Sequence, residues 1–191
     1  DEHGTYILNS KDLRAIHHVE KLMKMGVNCI KIEGRTKSHF YAARTAQLYR
    51  QAIDDAQAGR PFDMSLMDSL EGLSNRGYTE GLFRRHIHDE YQNYEQGTSK
   101  STRQQFVGEL THIDEKTGLA EVIVKNKFTA GDTLEMMLPG GNKTFKLAHI
   151  ENQQGLRTDI APGSGHVVRI PIPETKNVEM GLLMRCFSPV D

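Results

Sequence analysis

The 191-residue sequence predicts an α/β domain followed by an all-β domain, and three observations support this division. Residues 1–83 alternate short apolar runs with stretches in which apolar residues recur every three or four positions, a pattern typical of βα units. From residue 105 onward the hydrophobic period is two, with glycine-rich turns between short runs. Residues 84–104 are polar and end in a stretch rich in Gly, Ser and Thr, which indicates a linker.

Two βα units are predicted in residues 1–83. Strands are expected over residues 6–8 and 27–32, and the helix between them ends at Gly26, a residue suited to the left-handed conformation beyond a helix C-terminus. Further helices are expected over residues 37–58 and 63–73. Two short parallel strands cannot bury both of their faces, so we expect the closing units of a truncated (β/α) barrel-like domain. Its missing strands would lie upstream or in another copy of the chain.

The remainder, residues 105–191, is predicted to form a small antiparallel β-barrel. About six short strands with intervening turns fit into this length, which is typical of such barrels. The predicted strands cover residues 106–110, 119–125, 133–138, 143–150, 166–172 and 180–187.

Composition narrows the classes of protein that fit this sequence. Lys and Arg number 24 and Asp and Glu number 25, so the formal net charge of -1 predicts no overall attraction to nucleic acid or anionic lipid. No stretch reaches the roughly 18 apolar residues that a membrane-spanning helix needs, so no membrane contact is expected. The 2 cysteines are far apart, which excludes a self-contained iron–sulfur site and fits a reducing cytoplasm. The chain opens without Met, so we expect a piece of a longer protein.

The most informative stretch follows the predicted strand 27–32. Glu33 and Arg35 would emerge at the carboxyl end of that strand, where α/β barrels build their active sites. Lys37 and Ser38 would lie at a helix N-terminus, where cations and unpaired N–H groups bind carboxylates or phosphates. An ion pair from Glu33 to Arg35 or Lys37 that only pins the loop is an equal alternative.

Two neighbouring loops are candidates for substrate binding. By the same geometry Asn9 and Lys11 would face the same rim, although helix capping alone explains Asn9 and Ser10. The loop that contains Arg76 and Tyr78 combines glycines, a cation and aromatic residues. It fits either a substrate loop or a packed turn that seals the domain.

Other reactive side chains point to structural roles. Cys29 lies inside an apolar run, so we expect a buried, inert thiol. His17 and His18 are adjacent and would point to different sides of a helix, which prevents them from sharing an ion. His86 and His88 would share a strand face without a third ligand nearby. The sequence therefore predicts no metal site.

A cluster of cations in the second domain suggests contact with RNA. Lys125, Lys127 and Phe128 precede a turn, and Lys143 follows shortly after it. Exposed lysines with an aromatic ring can hold an RNA backbone and stack on a base. Solvated lysines on a strand surface are the commoner explanation of such a pattern.

These motifs together resemble one family. Residues 9–13, 31–38, 75–79 and 125–132 are similar to segments of the peptidase U32 family, whose members were once described as collagenase-like proteases. The likeness is greatest to the branch of the family that converts a uridine of tRNA to 5-hydroxyuridine. It runs in order over essentially the whole chain.

The resemblance implies more than the residues do. Full-length relatives have a barrel-like α/β domain and a C-terminal β-barrel similar to those of translation factors. They are implicated in prephenate-dependent 5-hydroxylation of the wobble uridine of tRNA, with an iron–sulfur cluster held by cysteines upstream of the segment matched here. Cys29 and Cys186 match no such motif. This chain would then be the C-terminal part, with tRNA and prephenate as partners.

In that interpretation Glu33, Arg35 and Lys37 form the catalytic rim, directed at the carboxylates of prephenate or at a tRNA phosphate. The small barrel would dock tRNA, and the chain by itself would be inactive. A collagenase-like peptidase is an alternative, but the sequence has no H-E-x-x-H or G-x-S-x-G motif. A non-catalytic module that binds RNA or protein is the other alternative.

Overall fold

The computed structural model describes residues 11–34, 37–73, 78–81 and 104–187. Contacts between residues divide the chain into a first unit, residues 1–102, and a second unit, residues 103–191. The predicted strand over residues 6–8 and nearly all of the predicted linker lie outside the described residues. Among the described residues, no helix is long and apolar enough to cross a membrane.

Within its described residues, the first unit contains three α-helices, one 3-10 turn and one pair of two-residue strands. In chain order these are β1 (Asp12–Leu13), the 3-10 turn (Ile16–His18), α1 (Val19–Lys24), α2 (His39–Gln57), α3 (Ser65–Glu71) and β2 (Tyr78–Thr79). Strands β1 and β2 pair in parallel, with Asp12 opposite Tyr78. This is the single parallel pair in the part of the chain that the structure describes. That the first unit is the end of a truncated (β/α) barrel-like domain stays a prediction.

Helix α2 confirms the prediction of a long helix over residues 37–58. Ser38 begins it as the N-cap, and its side-chain oxygen accepts a hydrogen bond from the backbone N–H of Tyr41 at 3.2 Å. Phe40 and Leu48 on one side of the helix are buried, as expected of an amphipathic helix. Helix α3 lies within the predicted span 63–73 and is also confirmed.

The prediction of a strand over residues 27–32 is wrong. Residues 27–34 have no regular secondary structure, and the side chains of Val27 and Ile32 are about two-fifths exposed. A strand needs a neighbour to pair its backbone N–H and C=O groups, and the described part of the first unit provides none beside this segment. The expectation of a buried Cys29 is therefore also wrong, because Cys29 is exposed. Gly26 does adopt the predicted left-handed conformation, with φ of 86°.

The second unit is an antiparallel β structure, as the period of two predicts. Its strands are β3 (Gln104–Ile113), β4 (Ala120–Val124), β5 (Phe128–Thr129), β6 (Thr133–Leu138), β7 (Gly141–Lys146), β8 (Ile150–Glu151), β9 (Arg157–Thr158), β10 (Ile160–Ala161), β11 (Val167–Ile170) and β12 (Leu182–Cys186). Eight of them form one sheet in the order β7-β6-β12-β3-β4-β11-β8-β9, and β5 pairs with β10. Five of the six predicted strands each correspond to one strand, whereas the predicted strand over residues 143–150 is divided between β7 and β8. The short strands β5, β9 and β10 were not predicted. Closure of the sheet into a barrel stays a prediction.

The core of the second unit lies against one face of this sheet. Burial along β4 alternates residue by residue, which matches the two-residue period of a strand with one face covered. Strands β3 and β4 approach closely at Gly108, where a Cβ atom would lie 2.5 Å from Cγ1 of Val122. The largest fully buried side chains are Val107, Phe128, Leu134, Met136, Leu147, Ile150, Ile170, Leu183 and Met184.

Candidate functional site

The first unit encloses a cavity of about 310 Å³ beside the paired strands β1 and β2. Its apolar walls come from Leu13, Leu22, Ile30, Ile32 and Leu70. Polar and charged side chains from residues 12–14, from Lys31, Glu33 and Lys37, from α2 and from β2 complete the lining. This volume is at the lower end of the range for small-molecule sites, and apolar walls with a few polar groups are typical of them.

A charged pair stands at the centre of the polar lining. Nζ of Lys37 lies 2.6 Å from Oδ2 of Asp12, and both side chains are only 15% exposed. The Tyr41 hydroxyl donates a hydrogen bond to the same carboxylate oxygen at 3.2 Å. Nζ of Lys37 also lies 4.8 Å from the centre of the Tyr41 ring. Lys37 directly precedes the N-cap Ser38 and Tyr41 lies in the first turn of α2, so both side chains reach Asp12 from the start of this helix.

The hydroxyl of Tyr41 is a hydrogen-bond donor in this setting. Burial raises its pKa far above the usual value, and the neighbouring Tyr78 and Asp12 raise the pKa further. The phenol therefore stays protonated at neutral pH. Tyr41 can orient a ligand or the Asp12 carboxylate, but it is not suited to act as a base.

Two polar atoms on residues that line the cavity have no hydrogen-bond partner among the described residues. They are Nε of Arg14 and Oγ1 of Thr45, and both atoms are shielded from solvent. The rest of the Arg14 guanidinium is engaged, with Nη1 at 2.9 Å from Oε1 of Glu71 and its carbon 4.8 Å from the centre of the Tyr78 ring. A buried polar group left unpaired costs about 1–3 kcal/mol, so each of the two atoms would be stabilised by a polar partner.

The structure brings three of the predicted site residues to the cavity. Glu33, Lys37 and Tyr78 all line it. Glu33 is largely exposed and forms an ion pair with Lys31 at 3.1 Å, so it lies at the rim. The alternative of a Glu33–Lys37 pair is wrong, because Lys37 pairs with Asp12. Three other predicted site residues, Asn9, Arg35 and Arg76, lie outside the described residues.

The remaining two predicted substrate-binding residues are not among the residues that line the cavity. Lys11 is half-buried beside β1, and Ser38 is exposed at the start of α2. The hydrogen bond from Tyr41 N–H to the side chain of Ser38 gives this serine a capping role.

Replacing Ser38 with alanine is expected to lower the free energy of unfolding by about 1 kcal/mol, because α2 loses its N-cap. Urea-induced unfolding followed by circular dichroism measures this. Lys11→Ala is the matched control and should change stability by less than about 0.5 kcal/mol. A Ser38→Ala chain with unaltered stability but weaker ligand binding would show that Ser38 contacts the ligand instead.

Sequence reasoning missed Asp12, Arg14 and Tyr41. Asp12 stands next to the predicted Lys11, and Tyr41 lies in the first turn of the helix that Lys37 and Ser38 were predicted to begin, so both residues lie close in sequence to predicted ones. Arg14 gave none, because its role depends on Glu71 and Tyr78 far along the chain.

A second cluster of polar side chains lies where β1 and β2 end. Nε2 of His17 and Nε2 of His18 lie 3.3 Å and 3.2 Å from Oε2 of Glu80. The expectation that the two rings face different sides of a helix is wrong, because the residues form a 3-10 turn and their ring centres are 3.9 Å apart. Burial, followed by the neighbouring His18, lowers the pKa of His17 and favours the neutral ring. The other histidine pair, at positions 86 and 88, lies outside the described residues.

The predicted RNA-binding residues of the second unit differ in exposure. Phe128 is fully buried in the core, so the expectation that its ring stacks on a base is wrong. Lys125 forms an ion pair with Glu109 at 3.2 Å, and Nζ of Lys143 donates to the backbone carbonyl of residue 174. Lys127 is exposed.

The described residues do not fit an iron–sulfur cluster. Such clusters are held by several thiolates, commonly four, whereas each of the two units contributes one cysteine. Cys29 and Cys186 therefore cannot hold the cluster that the family resemblance implies, and we derive no chemical step through it.

Comparison with known proteins places the chain in a family. Residues 1–93 match the family model of Peptidase family U32, and residues 102–185 match that of the Peptidase family U32 C-terminal domain. The chain is 63% identical over 188 residues to tRNA hydroxylation protein P of Escherichia coli, and 60% identical over 185 residues to the Haemophilus influenzae protein of that name. These alignments cover 98% and 97% of the chain but 41% and 40% of the relatives.

The chain also has more distant matches. A collagenase of Porphyromonas gingivalis is 26% identical over 179 residues, which cover 91% of the chain and 49% of the collagenase. A solved C-terminal domain of a Geobacillus thermoleovorans U32 peptidase is 27% identical, with a TM-score of 0.38 over 42% of this chain and 98% of that one. The chain spans about two-fifths of the length of its tRNA hydroxylation relatives, and on the family models and these identities it belongs to peptidase family U32.

Proposed function

We propose that this chain is the C-terminal part of a tRNA-modifying enzyme that hydroxylates the wobble uridine of tRNA in a prephenate-dependent reaction. Two relatives that are at least 60% identical carry the name tRNA hydroxylation protein P. Because the chain spans about two-fifths of their length, the activity belongs to the whole protein. The iron–sulfur cluster expected from the resemblance would be held by residues outside this chain.

Arg14 carries the proposed role of the first unit, because it lines the cavity and its Nε has no hydrogen-bond partner among the described residues. Prephenate is a small ring compound with two carboxylates, so it needs apolar walls for the ring and cationic or N–H donors for the acid groups. The cavity is lined by five large apolar side chains and by Arg14 and Thr45. A carboxylate placed against Arg14 would accept a charge-assisted hydrogen bond, the stronger kind.

The paired residues of the cavity act by positioning in this proposal. Lys37 is compensated by Asp12, so its net contribution to anion binding is smaller than a free lysine would give. The protonated Tyr41 holds the carboxylate of Asp12 in place. Glu33 lines the cavity and is largely exposed, which supports its proposed place at the catalytic rim. Arg35 lies outside the described residues, and its place at this rim stays a prediction.

Binding of tRNA is proposed for the second unit. Lys127 and Lys143 are the exposed cations of the predicted set, and Lys125 and Lys143 would contact phosphates beside their protein partners. Phe128 is not part of this surface, because it is buried. A cytoplasmic location and association between copies of the chain stay predictions.

Arg14→Gln in the full-length protein is expected to lower kcat/KM for tRNA hydroxylation by about 10–100-fold, the equivalent of one charge-assisted hydrogen bond. Hydroxyuridine formed at varied prephenate concentration, measured by mass spectrometry of digested tRNA, gives this ratio. Glu71→Gln is the matched control, because it removes the ion-pair partner of Arg14 but no donor that lines the cavity. The kcat/KM of this variant should stay within about twofold of that of the unsubstituted protein. Unchanged prephenate dependence in the folded Arg14→Gln protein would contradict the proposed site.

The cavity does not favour the peptidase alternative. The described residues that line it include no cysteine, serine or histidine, and Thr45 has no histidine beside it in the lining to activate its hydroxyl. The collagenase relative is also distant, at 26% identity. A tRNA-modifying role therefore has the better support.

A further inference from the structure

We propose that His17, His18 and Glu80 form a binding site for a divalent first-row transition-metal ion, with a geometry best suited to Zn²⁺. Two imidazole nitrogens and one carboxylate oxygen would bind the ion, and solvent would complete its coordination. Nitrogen and oxygen ligands of this kind suit zinc, and three protein ligands with an open position are common in zinc sites. The proposal replaces the expectation of no metal site and is independent of the proposed tRNA modification.

The distances within the cluster match those of a coordination shell. Oε2 of Glu80 lies 3.3 Å from Nε2 of His17 and 3.2 Å from Nε2 of His18, and the three ligand atoms lie within 4.8 Å of one another. In a tetrahedral zinc site with bonds of about 2.0–2.1 Å, adjacent ligand atoms are about 3.3–3.4 Å apart. The two measured distances correspond to that spacing.

The fold explains why residues more than sixty positions apart converge here. Strands β1 and β2 run in parallel, so the residues that follow them leave the pair at the same end. The backbone N–H of Arg14 donates a hydrogen bond to the carbonyl of Thr79 at 2.8 Å. This bond holds together the two chain segments that follow β1 and β2. The 3-10 turn then places both histidine rings beside Glu80. Carboxyl ends of parallel strands are the usual place for ligands in α/β folds.

The state of His17 gives independent support. Both of its ring nitrogens are shielded from solvent. Nδ1 has no hydrogen-bond partner within the described part of the protein, and Nε2 has the contact of 3.3 Å to Oε2 of Glu80 without meeting the geometry of a good hydrogen bond. A shielded nitrogen that lacks a well-formed hydrogen bond is unfavourable, and coordination through Nε2 would satisfy it. The three side chains remain 17–18% exposed, which leaves a route for an ion and its water ligands.

The positive charge of the nearby Arg14 disfavours the binding of a metal cation at this cluster. Arg14 lies close enough to affect His17 electrostatically, but its own charge is compensated by Glu71 at 2.9 Å. The carboxylate of Glu80 lowers the net charge of a bound divalent ion to about one. A histidine–glutamate hydrogen-bond cluster without metal is the competing explanation, and binding measurements separate the two.

Titration of the metal-free full chain with Zn²⁺, followed by calorimetry, is expected to show one saturable site. His17→Gln and Glu80→Gln should each weaken Zn²⁺ binding by about 100-fold or more, because each removes a ligand. His149→Gln is the matched control, since Nε2 of His149 lies 3.5 Å from Oε1 of Glu151 in an equivalent pair without a second histidine. That variant should bind Zn²⁺ as the unsubstituted chain does.

Co²⁺ provides a readout that needs no variant. In the unsubstituted chain, Co²⁺ at this site should give the intense visible absorption typical of four-coordinate cobalt, and one equivalent of Zn²⁺ should abolish it. Circular dichroism checks that each variant is folded, and His18→Gln replaces any variant that is not. Absence of saturable Zn²⁺ and Co²⁺ binding, or unchanged affinity in a folded ligand variant, would overturn the proposal.

Discussion

Phe128→Ala is expected to destabilise the second unit by about 3–5 kcal/mol, the usual result of removing a large buried aromatic side chain. The ring of Phe128 is fully buried and belongs to the same core cluster as Val107 and Leu134. Alanine would leave a cavity that the surrounding strands cannot fill without moving. Urea-induced unfolding of the chain, followed by far-UV circular dichroism, measures the loss.

Two variants show whether Phe128 acts only through packing. Phe128→Leu keeps much of the buried volume and should be considerably less destabilising than alanine. Lys127→Ala, at the exposed neighbouring position, should change stability by less than about 0.5 kcal/mol. In gel-shift assays at low salt, Lys127→Ala should weaken tRNA binding whereas folded Phe128→Leu should not. Weaker tRNA binding by folded Phe128→Leu would show that the ring contacts RNA after all.

Asp12→Ala is expected to lower the free energy of unfolding by about 2–3 kcal/mol. The change leaves the ammonium group of Lys37 largely buried without its counter-ion and removes the acceptor of the Tyr41 hydroxyl. Loss of one partner of a buried ion pair typically costs about 3–5 kcal/mol of stability. Both side chains of this pair are 15% exposed, so we expect a somewhat smaller loss. Urea-induced unfolding again gives the value.

A double-mutant cycle isolates the pair itself. Lys37→Met keeps the length of the side chain without its charge, so combining it with Asp12→Ala removes the uncompensated ammonium group. The double variant should lose less stability than the sum of the single variants, with a coupling energy of about 1–3 kcal/mol. Strict additivity would show that the contact between Asp12 and Lys37 contributes nothing to folding.

Features set by neighbouring residues in the sequence were predictable. Ser38 and the amphipathic spacing of Phe40 and Leu48 define α2, and both signals lie within a few residues of the element they specify. The alternation along β4 is likewise visible in the sequence and in the burial of its side chains. Elements of this kind depend little on the rest of the fold.

Features that depend on distant partners were not predictable. Residues 27–32 have the composition of a strand, but an apolar run pairs only where another strand lies beside it. Phe128 follows two exposed or half-exposed positions, and its burial depends on the packing of the whole sheet. Asp12 and Lys37 are 25 positions apart, so their contact leaves no local signal.

The exposure of Cys29 makes this chain suitable for labelling at one chosen position. Its thiol is accessible, whereas Sγ of Cys186 is half-buried and lies 3.5 Å from Nε2 of Gln104. A maleimide fluorophore should therefore attach first at Cys29, immediately before Ile30 in the wall of the cavity. Its emission would then report when that cavity is filled, without any engineered cysteine.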